Sequence, residues 1–270
     1  QIIDEHWYAK DYLTDRTEYH ARPTYPLTAV NVGRQDYIAG PLENFAAGAL
    51  RFDPAKKAYA TVRHADLSRP FTAKLATRAR HGQDPQLREF TFAGDDLKNP
   101  AIHASNFLIE VYFRADGDGL IVGKKQGTGY ALQLRNGRAV FSVAGAGGAR
   151  GELMSNSRLA DGQWHHLLAE CDRDAQTLSL YADGKLDSTG GGIGRVSLAN
   201  EGDLFVGGRS EGDHLPGAID FLRIAHGTLA DAHTSIEELY AWQFDGPARR
   251  DMRGVPPQGK GRDAGAIETF

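Results

Sequence analysis

The sequence contains a single cysteine, Cys171, among its 270 residues, so no disulfide can form within the chain. Cys171 falls on the inward face of a predicted strand, where a small buried apolar side chain is a simpler interpretation than a reactive thiol. A low cysteine content fits a bacterial extracytoplasmic protein better than an animal secreted one. We therefore expect a secreted, periplasmic or cell-surface location.

Basic clusters and long apolar runs are also missing. The 31 lysines and arginines are outnumbered by 35 acidic residues, which gives a formal net charge of −4. Proteins that bind nucleic acid concentrate cations in patches or stripes, so nucleic acid is not an expected partner. No apolar run approaches the roughly 18 residues that a membrane span needs, so no membrane span is expected.

The segment from Asp161 to Gly184, DGQWHHLLAECDRDAQTLSLYADG, predicts a β-hairpin. Inward and outward side chains alternate in each of its two strands, as in half-buried strands. The hairpin ends at the turn dipeptide Asp183-Gly184. The predicted inward set is Leu167, Ala169, Cys171, Leu178, Leu180 and Ala182.

The D-G-x-W-H-H entry and the Y-x-D-G-K exit of this hairpin resemble the laminin-G-like (LamG) branch of the concanavalin A-like jelly rolls. Similar segments flank the hairpin, namely AGALRFD at 47–53, NFLIEVYFRAD at 106–116, DLFVGG at 203–208 and GAIDFLRIAHGTL at 217–229. The resemblance implies an all-β fold, a two-sheet antiparallel jelly-roll β-sandwich. Folds of this kind host lectins, adhesion modules, glycanases and structural domains, so fold alone does not determine function.

Three regions differ in composition. Residues 1–46 predict an irregular extension that packs its aromatic side chains on the sandwich, and residues 47–245 form the predicted LamG-like jelly roll. Residues 246–270 form a Gly/Pro-rich tail. Its DMRGVPPQGKGRDAGAIE resembles the closing sequence of secreted bacterial β-helix and LamG proteins, from which Pro257 and Ala264 depart. The aromatic residues of the extension are Trp7, Tyr8, Tyr12, Tyr19, Tyr25 and Tyr37.

Three shorter segments have their own predictions. The basic stretch from Ser68 to Pro85 predicts a loop or a short helix at one sandwich edge. Ser235 to Trp242 predicts one short C-terminal helix, because Ser235 and Glu238 fit an S-x-x-E capping box. The DGDG sequence at 116–119 predicts a tight hairpin turn rather than a calcium loop.

A glycanase of this fold needs two or three carboxylates on one strand face. The pattern E-x-D-x-E is absent and the predicted core strand offers only Glu110, so no catalytic residue is assigned and no hydrolase activity is expected. Polar side chains do alternate outward on four predicted strands, and a solvated sheet face is their simplest interpretation. They are Glu110, Tyr112, Arg114, Gln133, Arg135, His166, Glu170 and Tyr181.

If those strands were neighbours, the polar set would resemble that of jelly-roll polysaccharide lyases. In such a lyase Tyr112 or His166 would remove a proton, while arginine and glutamine would neutralise a uronate carboxylate. The loop that contains Arg209, Asp213 and His214 is a second candidate ligand site, because loops at one end of a sandwich commonly carry function.

Two metal hypotheses arise. His165 and His166 are adjacent on a strand and point to opposite faces, so they cannot chelate one ion together. The LamG resemblance implies a calcium ion at a sandwich edge, with Asp53 and Asp220 as candidate ligands. Lys57 and Ala58 occupy positions where further ligands are expected, so half of that site is missing.

Together these patterns predict a non-catalytic recognition module of an extracytoplasmic bacterial protein. Its expected partner is a polysaccharide, a glycoprotein, a partner protein or an adjacent domain. Two alternatives stay open, a lyase-type polysaccharide-degrading enzyme on the polar sheet face and a structural interaction domain without a small ligand.

Overall fold

The structure is a computed structural model that describes residues 4–6, 27–41, 48–67, 71–76, 87–92, 102–232, 234–237 and 239–240. The tail at 246–270 and five of the aromatic residues of the predicted extension lie outside these ranges. An α-helix spans His64–Leu67, and 3-10 turns span Arg34–Asp36, Pro54–Lys56 and Ala146–Gly148. In chain order the strands are β1 (Asp4–His6), β2 (Thr28–Val30), β3 (Tyr37–Ile38), β4 (Ala49–Phe52), β5 (Tyr59–Val62), β6 (Phe71–Ala76), β7 (Leu87–Phe92), β8 (Phe107–Ala115), β9 (Gly119–Gln126), β10 (Thr128–Arg135), β11 (Arg138–Ala144), β12 (Arg150–Arg158), β13 (Trp164–Asp172), β14 (Thr177–Ala182), β15 (Lys185–Gly191), β16 (Leu204–Val206) and β17 (Gly217–His226).

The strands form two large sheets that pack face to face. The first sheet has the order β15-β14-β13-β8-β17-β4-β3, and β1 also pairs with β17, in parallel. The second sheet has the order β12-β11-β10-β9-β16-β5-β2. All other pairings in both sheets are antiparallel, which confirms the predicted jelly-roll sandwich.

Alternating apolar side chains fill the space between the sheets. Phe107, Ile109, Val111, Leu178 and Leu180, all predicted core residues, are fully buried at 0 % exposure. The Phe107 ring of the first sheet contacts two rings of the second, Tyr130 at 5.4 Å and Phe141 at 5.9 Å between centroids. Such aromatic contacts add to the burial of apolar area that holds the two sheets together.

Turn chemistry fixes the hairpins. Asn136 and Gly137 have φ of 54° and 75°, and Asp183 and Gly184 have φ of 50° and 77°. Two successive positive φ values define the type I′ turn that suits the twist of a hairpin. The 116–118 turn differs from its prediction, because it leads from β8 in the first sheet to β9 in the second and so is not a hairpin.

A second apolar cluster lies on the outer face of the first sheet, where the chain after β17 folds back. Residues 236, 237, 239 and 240 are helical, at the predicted position. The backbone N–H of Leu229 donates to the Glu170 carboxylate at 2.7 Å and fixes this covering segment. Among the described residues no helix is long and apolar enough to cross a membrane. The cluster consists of Leu108, Leu168, Ala225, Leu229, Ile236 and Leu239.

Two further predictions of local structure differ from what the described residues show. The described part of the predicted irregular extension contains strands, because β2 joins the edge of the second sheet and β3 joins the edge of the first. Tyr37 in β3 is 65 % exposed and is therefore not a buried anchor. Within the basic segment from Ser68 to Pro85 the structure describes residues 71–76, which form β6 and pair with β7 in a separate two-stranded sheet, so this part is neither a loop nor a helix.

Candidate functional site

A charged cluster is buried on the outer face of the first sheet. Glu110 on β8 accepts a hydrogen bond from His166 Nε2 on β13 at 2.8 Å and another from Arg223 Nη2 on β17. An ionised carboxylate can only accept, so His166 carries its proton on Nε2. Glu110 and His166 are both 0 % exposed.

The protonation state of Glu110 follows from this geometry. Burial acts to raise its pKa, but the charge of Arg223 and the hydrogen bond from His166 outweigh burial, so the pKa lies below its ordinary value. Glu110 is thus a carboxylate at neutral pH, and both of its oxygens are engaged. Because neither Glu110 nor His166 reaches the surface, neither side chain can contact a polymeric substrate.

Tyr112 and Arg114 lie further along the same face. The Tyr112 ring stacks on Trp164 at 5.9 Å between centroids and 10° between planes, and the Arg114 guanidinium lies 5.5 Å from the Trp164 centroid. Tyr112 is only 5 % exposed. Burial raises the pKa of Tyr112 to about 12, so its hydroxyl stays protonated at neutral pH.

Two members of the predicted polar set lie on the opposite side of the molecule. Gln133 and Arg135 belong to β10 in the second sheet, whereas Tyr112, Arg114 and His166 belong to the first. The lyase hypothesis requires these strands to be neighbours in one sheet, and they are not. The reason is the 116–118 turn, which moves the chain from one sheet to the other directly after β8.

The outer face of the second sheet, which carries Gln133 and Arg135, has a floor of small residues. Strand register places Ala131 beside Ser142 of β11 and Gly123 of β9. The adjacent row pairs Gly129 of β10 with Ala144 of β11. A side chain at Gly129 is excluded, because its φ is 124° and a Cβ would lie 2.0 Å from the Lys124 carbonyl oxygen. We call these five residues the small-residue floor.

Aromatic side chains border the floor on one side. Phe205 on β16 is paired with Gly123, so it continues the row of Ala131 and Ser142. Its ring lies 6.0 Å from Tyr59 on β5, and Tyr59 lies 6.2 Å from the ring of His214. Phe205, Tyr59 and His214 are each partly exposed. They present ring surface to solvent beside a floor that lacks large side chains.

Charged side chains border the other side. Arg135 reaches across β11 to Glu152 on β12, with Nη1–Oε1 at 3.2 Å and Nη2–Oε2 at 3.3 Å. Arg150 lies on the same face of β12, and Lys125 on β9 faces it from the aromatic side of the floor. Partial burial, then repulsion from Arg150, holds the pKa of Lys125 below its ordinary value. The floor residues are themselves buried, with the aromatic side chains and Lys125 on one side of them and Arg150 and Glu152 on the other. We call the floor and these bordering side chains the trough.

The loop that contains Arg209, Asp213 and His214 adjoins the second sheet. Arg209 and Gly212 exchange backbone hydrogen bonds of 3.0 and 3.1 Å, which makes a tight turn. Arg209 Nε lies 3.2 Å from Asp213 Oδ2, and both side chains are partly or largely exposed. His214 packs on Tyr59 as described above. Ligand binding by these three residues stays a prediction.

The two predicted calcium ligands do not meet. Strand pairing matches Phe52 with Gly217 and Leu50 with Ile219, so Asp53 and Asp220 stand at opposite ends of this ladder. Asp53 instead accepts the Ala55 N–H at 2.9 Å and caps a 3-10 turn. In the described ranges, no three or more His, Cys, Asp or Glu side chains are grouped to hold a metal ion. Calcium binding stays a prediction.

Sequence reasoning missed the residues that complete the trough. Lys125, Arg150 and Glu152 alternate outward on β9 and β12 in the same way as Gln133 and Arg135 on β10. The alternation was therefore available as a signal. The sequence did not show which of these residues lie side by side, because their alignment depends on the order and register of four strands.

The strand order and pairing define a two-sheet antiparallel jelly-roll sandwich, and the trough lies on the outer face of its second sheet. A laminin G family of the concanavalin A-like lectin/glucanases superfamily matches residues 96–233. The chain belongs to this superfamily. A comparison with curated proteins found no match.

Similar solved structures include domains LG4-5 of the mouse laminin α1 chain, with 21 % identity over 46 % of this chain and 36 % of that one, at a TM-score of 0.41. Another is the CBM40 of the Ruminococcus gnavus IT-sialidase bound to α2,3-sialyllactose, with 15 % identity, 53 % and 84 % coverage, and a TM-score of 0.44. The receptor-binding domain of botulinum neurotoxin D shares 10 % identity over 81 % of this chain and 48 % of that one, at a TM-score of 0.45. The chain therefore spans about a third of the laminin structure and half of the toxin domain.

Proposed function

We propose that this chain is a non-catalytic carbohydrate-recognition module of an extracytoplasmic bacterial protein, and that the sugar binds in the trough on the second sheet. One observation carries the proposal, namely the small-residue floor between an aromatic side and a charged side. Binding sites for small molecules combine apolar and aromatic walls with a few polar groups that fix orientation.

The trough offers each kind of contact that a sugar uses. A pyranose ring has flat apolar faces, which pack on aromatic rings such as Phe205 and Tyr59. The sugar hydroxyls need hydrogen-bond partners, and Gln133, Ser142 and the Glu152 carboxylate supply acceptors and donors. Because the floor residues are buried, the groups that border the floor would make most of the contacts with the sugar.

Binding without catalysis is supported by the placement of the reactive side chains. Glu110 and His166 are buried in an ion-pair cluster on the first sheet, and Gln133 and Arg135 lie on the other side of the sandwich. A lyase would need a base and a carboxylate-neutralising pair on one accessible face. The extracytoplasmic location rests on the low cysteine content of the sequence and the buried state of Cys171.

The test is to fill the trough. Ala131, which is 4 % exposed in the floor, is replaced by Phe, and binding of both proteins is measured on a glycan array and then by calorimetry. We expect the unsubstituted chain to bind at least one glycan and Ala131→Phe to lose that binding. Ala175→Phe is the matched control, because Ala175 is exposed in the β13–β14 turn of the first sheet.

Equal binding by Ala131→Phe and the unsubstituted chain would place the site elsewhere. A silent array for the unsubstituted chain would reject carbohydrate recognition and favour a structural interaction domain. Melting curves of both Phe variants separate loss of binding from loss of folding.

A further inference from the structure

Two cations face each other across the small-residue floor. Register aligns Arg150 on β12 with Ala144, Ala144 with Gly129, and Gly129 with Lys125 on β9. Four neighbouring strands spaced about 4.8 Å apart put the Cα atoms of Lys125 and Arg150 roughly 14 Å from each other. Both side chains are exposed. Extended lysine and arginine side chains from the two sides can reach one group placed over Ala144 and Gly129.

This pair of cations is only partly neutralised, by the charge of the nearby Glu152. Over the described part of the chain, neither Lys125 nor Arg150 takes part in a side-chain hydrogen bond or a salt bridge. The nearby carboxylate of Glu152 is held by both guanidinium nitrogens of Arg135. Partial burial, then repulsion from Arg150 and Arg209, lowers the pKa of Lys125, although the charge of Glu152 acts to raise it. An anion placed between the two sides would relieve this repulsion.

We propose that the trough recognises an anionic polysaccharide, whose carboxylate or sulfate group binds between Lys125 and Arg150. This inference rests on the proposed function and names the chemical class of its ligand. Charge-assisted hydrogen bonds to such a group are stronger than those to neutral hydroxyls, and Arg150 can offer a bidentate pair. The cation pair of Lys125 and Arg150 therefore selects charged over neutral sugars.

A polysaccharide fits this surface better than an acidic peptide does. The Glu152 carboxylate lies one row from the cations, beside the Ser142 hydroxyl. A carboxylate accepts hydrogen bonds from sugar hydroxyls, but it repels the next acidic side chain of a peptide.

The experiment compares polymers that differ only in charge. The immobilised chain is titrated with polygalacturonate and its methyl ester, and with dextran sulfate and dextran. We expect binding of one charged polymer and little or none of its neutral counterpart. The first pair tests a carboxylate ligand, and the second pair tests a sulfate. Polyglutamate is included as the acidic-peptide probe.

The variant Lys125→Gln/Arg150→Gln should weaken binding of the charged polymer by at least about tenfold at low salt, because it removes both charge-assisted contacts to the anion. The control Lys185→Gln/Arg34→Gln makes the same change in net charge at two exposed residues away from the trough, and it should bind like the unsubstituted chain. Each single substitution should give part of the loss. Added salt should reduce binding of the unsubstituted chain and narrow the difference from the variant.

Three outcomes would overturn the inference. Charged and neutral polymers could bind equally well, with no change in the double variant. This outcome would reject anion recognition but leave the proposed carbohydrate site, provided that Ala131→Phe still blocks binding. If polyglutamate also binds, and the double variant weakens its binding as much as it weakens binding of the charged polysaccharide, the partner is an acidic protein. No binding of any charged polymer would reject the inference whatever the glycan array shows.

Discussion

The Nε2 atom of His166 lies 2.8 Å from Oε1 of Glu110, and both side chains are completely buried. The second carboxylate oxygen of Glu110 accepts from Arg223, so the carboxylate has a partner on each side. Burial of a charge is costly unless it is paired, and here the pairing is carried by strands β13 and β17 on the two sides of β8. This cluster is part of the folded framework and is not exposed to ligands.

Replacing Glu110 with Ala should therefore destabilise the protein strongly. The substitution leaves Arg223 and His166 without their shared acceptor, and removal of one partner from a buried ion pair costs about 3–5 kcal/mol. Urea denaturation followed by circular dichroism measures the loss. Glu152→Ala, which breaks the exposed pair with Arg135, should cost only about 0–1 kcal/mol. Similar losses for the two variants would mean that Glu110 is hydrated and not buried.

Leu180→Ala tests the core. Leu180 is fully buried between the sheets, and truncation of such a leucine costs about 2–5 kcal/mol through lost burial and the cavity left behind. Leu186→Ala on β15 is the control, because Leu186 is 58 % exposed and its truncation should change the free energy of unfolding by less than about 0.5 kcal/mol. A small loss at Leu180 would contradict the packing described here.

The hairpin at 164–182 shows what sequence could predict. Alternation at Leu167, Ala169, Leu178 and Leu180 identified the inward faces, and the turn dipeptide located the end of the second strand. The segment at 71–76, FTAKLA, also alternates, but the basic residues after it suggested a loop. A short alternation competes with flanking composition, so such a strand is easily missed.

The candidate site was harder to predict than the fold. Alternation states which side chains share a face of one strand, but not which sheet the next strand joins. Tyr112 and Gln133 were grouped on that basis, although the 116–118 turn separates them. The facing of Lys125 and Arg150 depends on the register of four strands, which local sequence does not determine.

His165 should give the stability a specific pH dependence. Its ring nitrogens lie 2.8 Å from Asp183 Oδ2 and 3.0 Å from Asp161 Oδ1, so only the imidazolium can donate to both. The hydrogen bond to Asp183 raises the pKa of His165, although partial burial opposes it. The stabilisation is thus fully present below the ordinary pKa of 6.5 and is lost as the pH rises through the higher folded-state pKa.

The measurement is the melting temperature of the unsubstituted chain minus that of His165→Gln, recorded against pH. We expect the difference to be largest near pH 6 and to shrink above the raised pKa of His165. It should also shrink in strong acid, since the pKa values of Asp161 and Asp183 are lowered and their carboxylates protonate there. His103→Gln, at an exposed histidine, is the control. A difference in melting temperature that does not change with pH would show that His165 is not charged between Asp161 and Asp183.

Deletion of residues 1–40 should lower the melting temperature. The deletion removes β1, β2 and β3, which pair with β17, β5 and β4. It also removes the Asp36 carboxylate, which binds Arg51 and Lys56 at 3.0 Å each. Calorimetry and binding of a hydrophobic dye report the loss and the exposed apolar surface. Tyr37→Ala should melt like the unsubstituted chain because Tyr37 is largely exposed. An unchanged melting curve of the truncated chain would make this segment dispensable for the fold.

The final prediction concerns catalysis. Incubation with alginate, pectate and glycosaminoglycans should give no absorbance from unsaturated products. A lyase base must be deprotonated and must reach its substrate, whereas Tyr112 has a pKa raised to about 12 by burial and His166 is fully buried. Gln133 and Arg135 lie on the other sheet and cannot neutralise a uronate beside either one. A commercial alginate lyase serves as the positive control. Product that forms with the unsubstituted chain and disappears in Tyr112→Phe or His166→Ala variants that still fold would replace the recognition module by an enzyme. Product that persists in both variants would indicate a contaminating activity, which a second preparation of the chain would not reproduce.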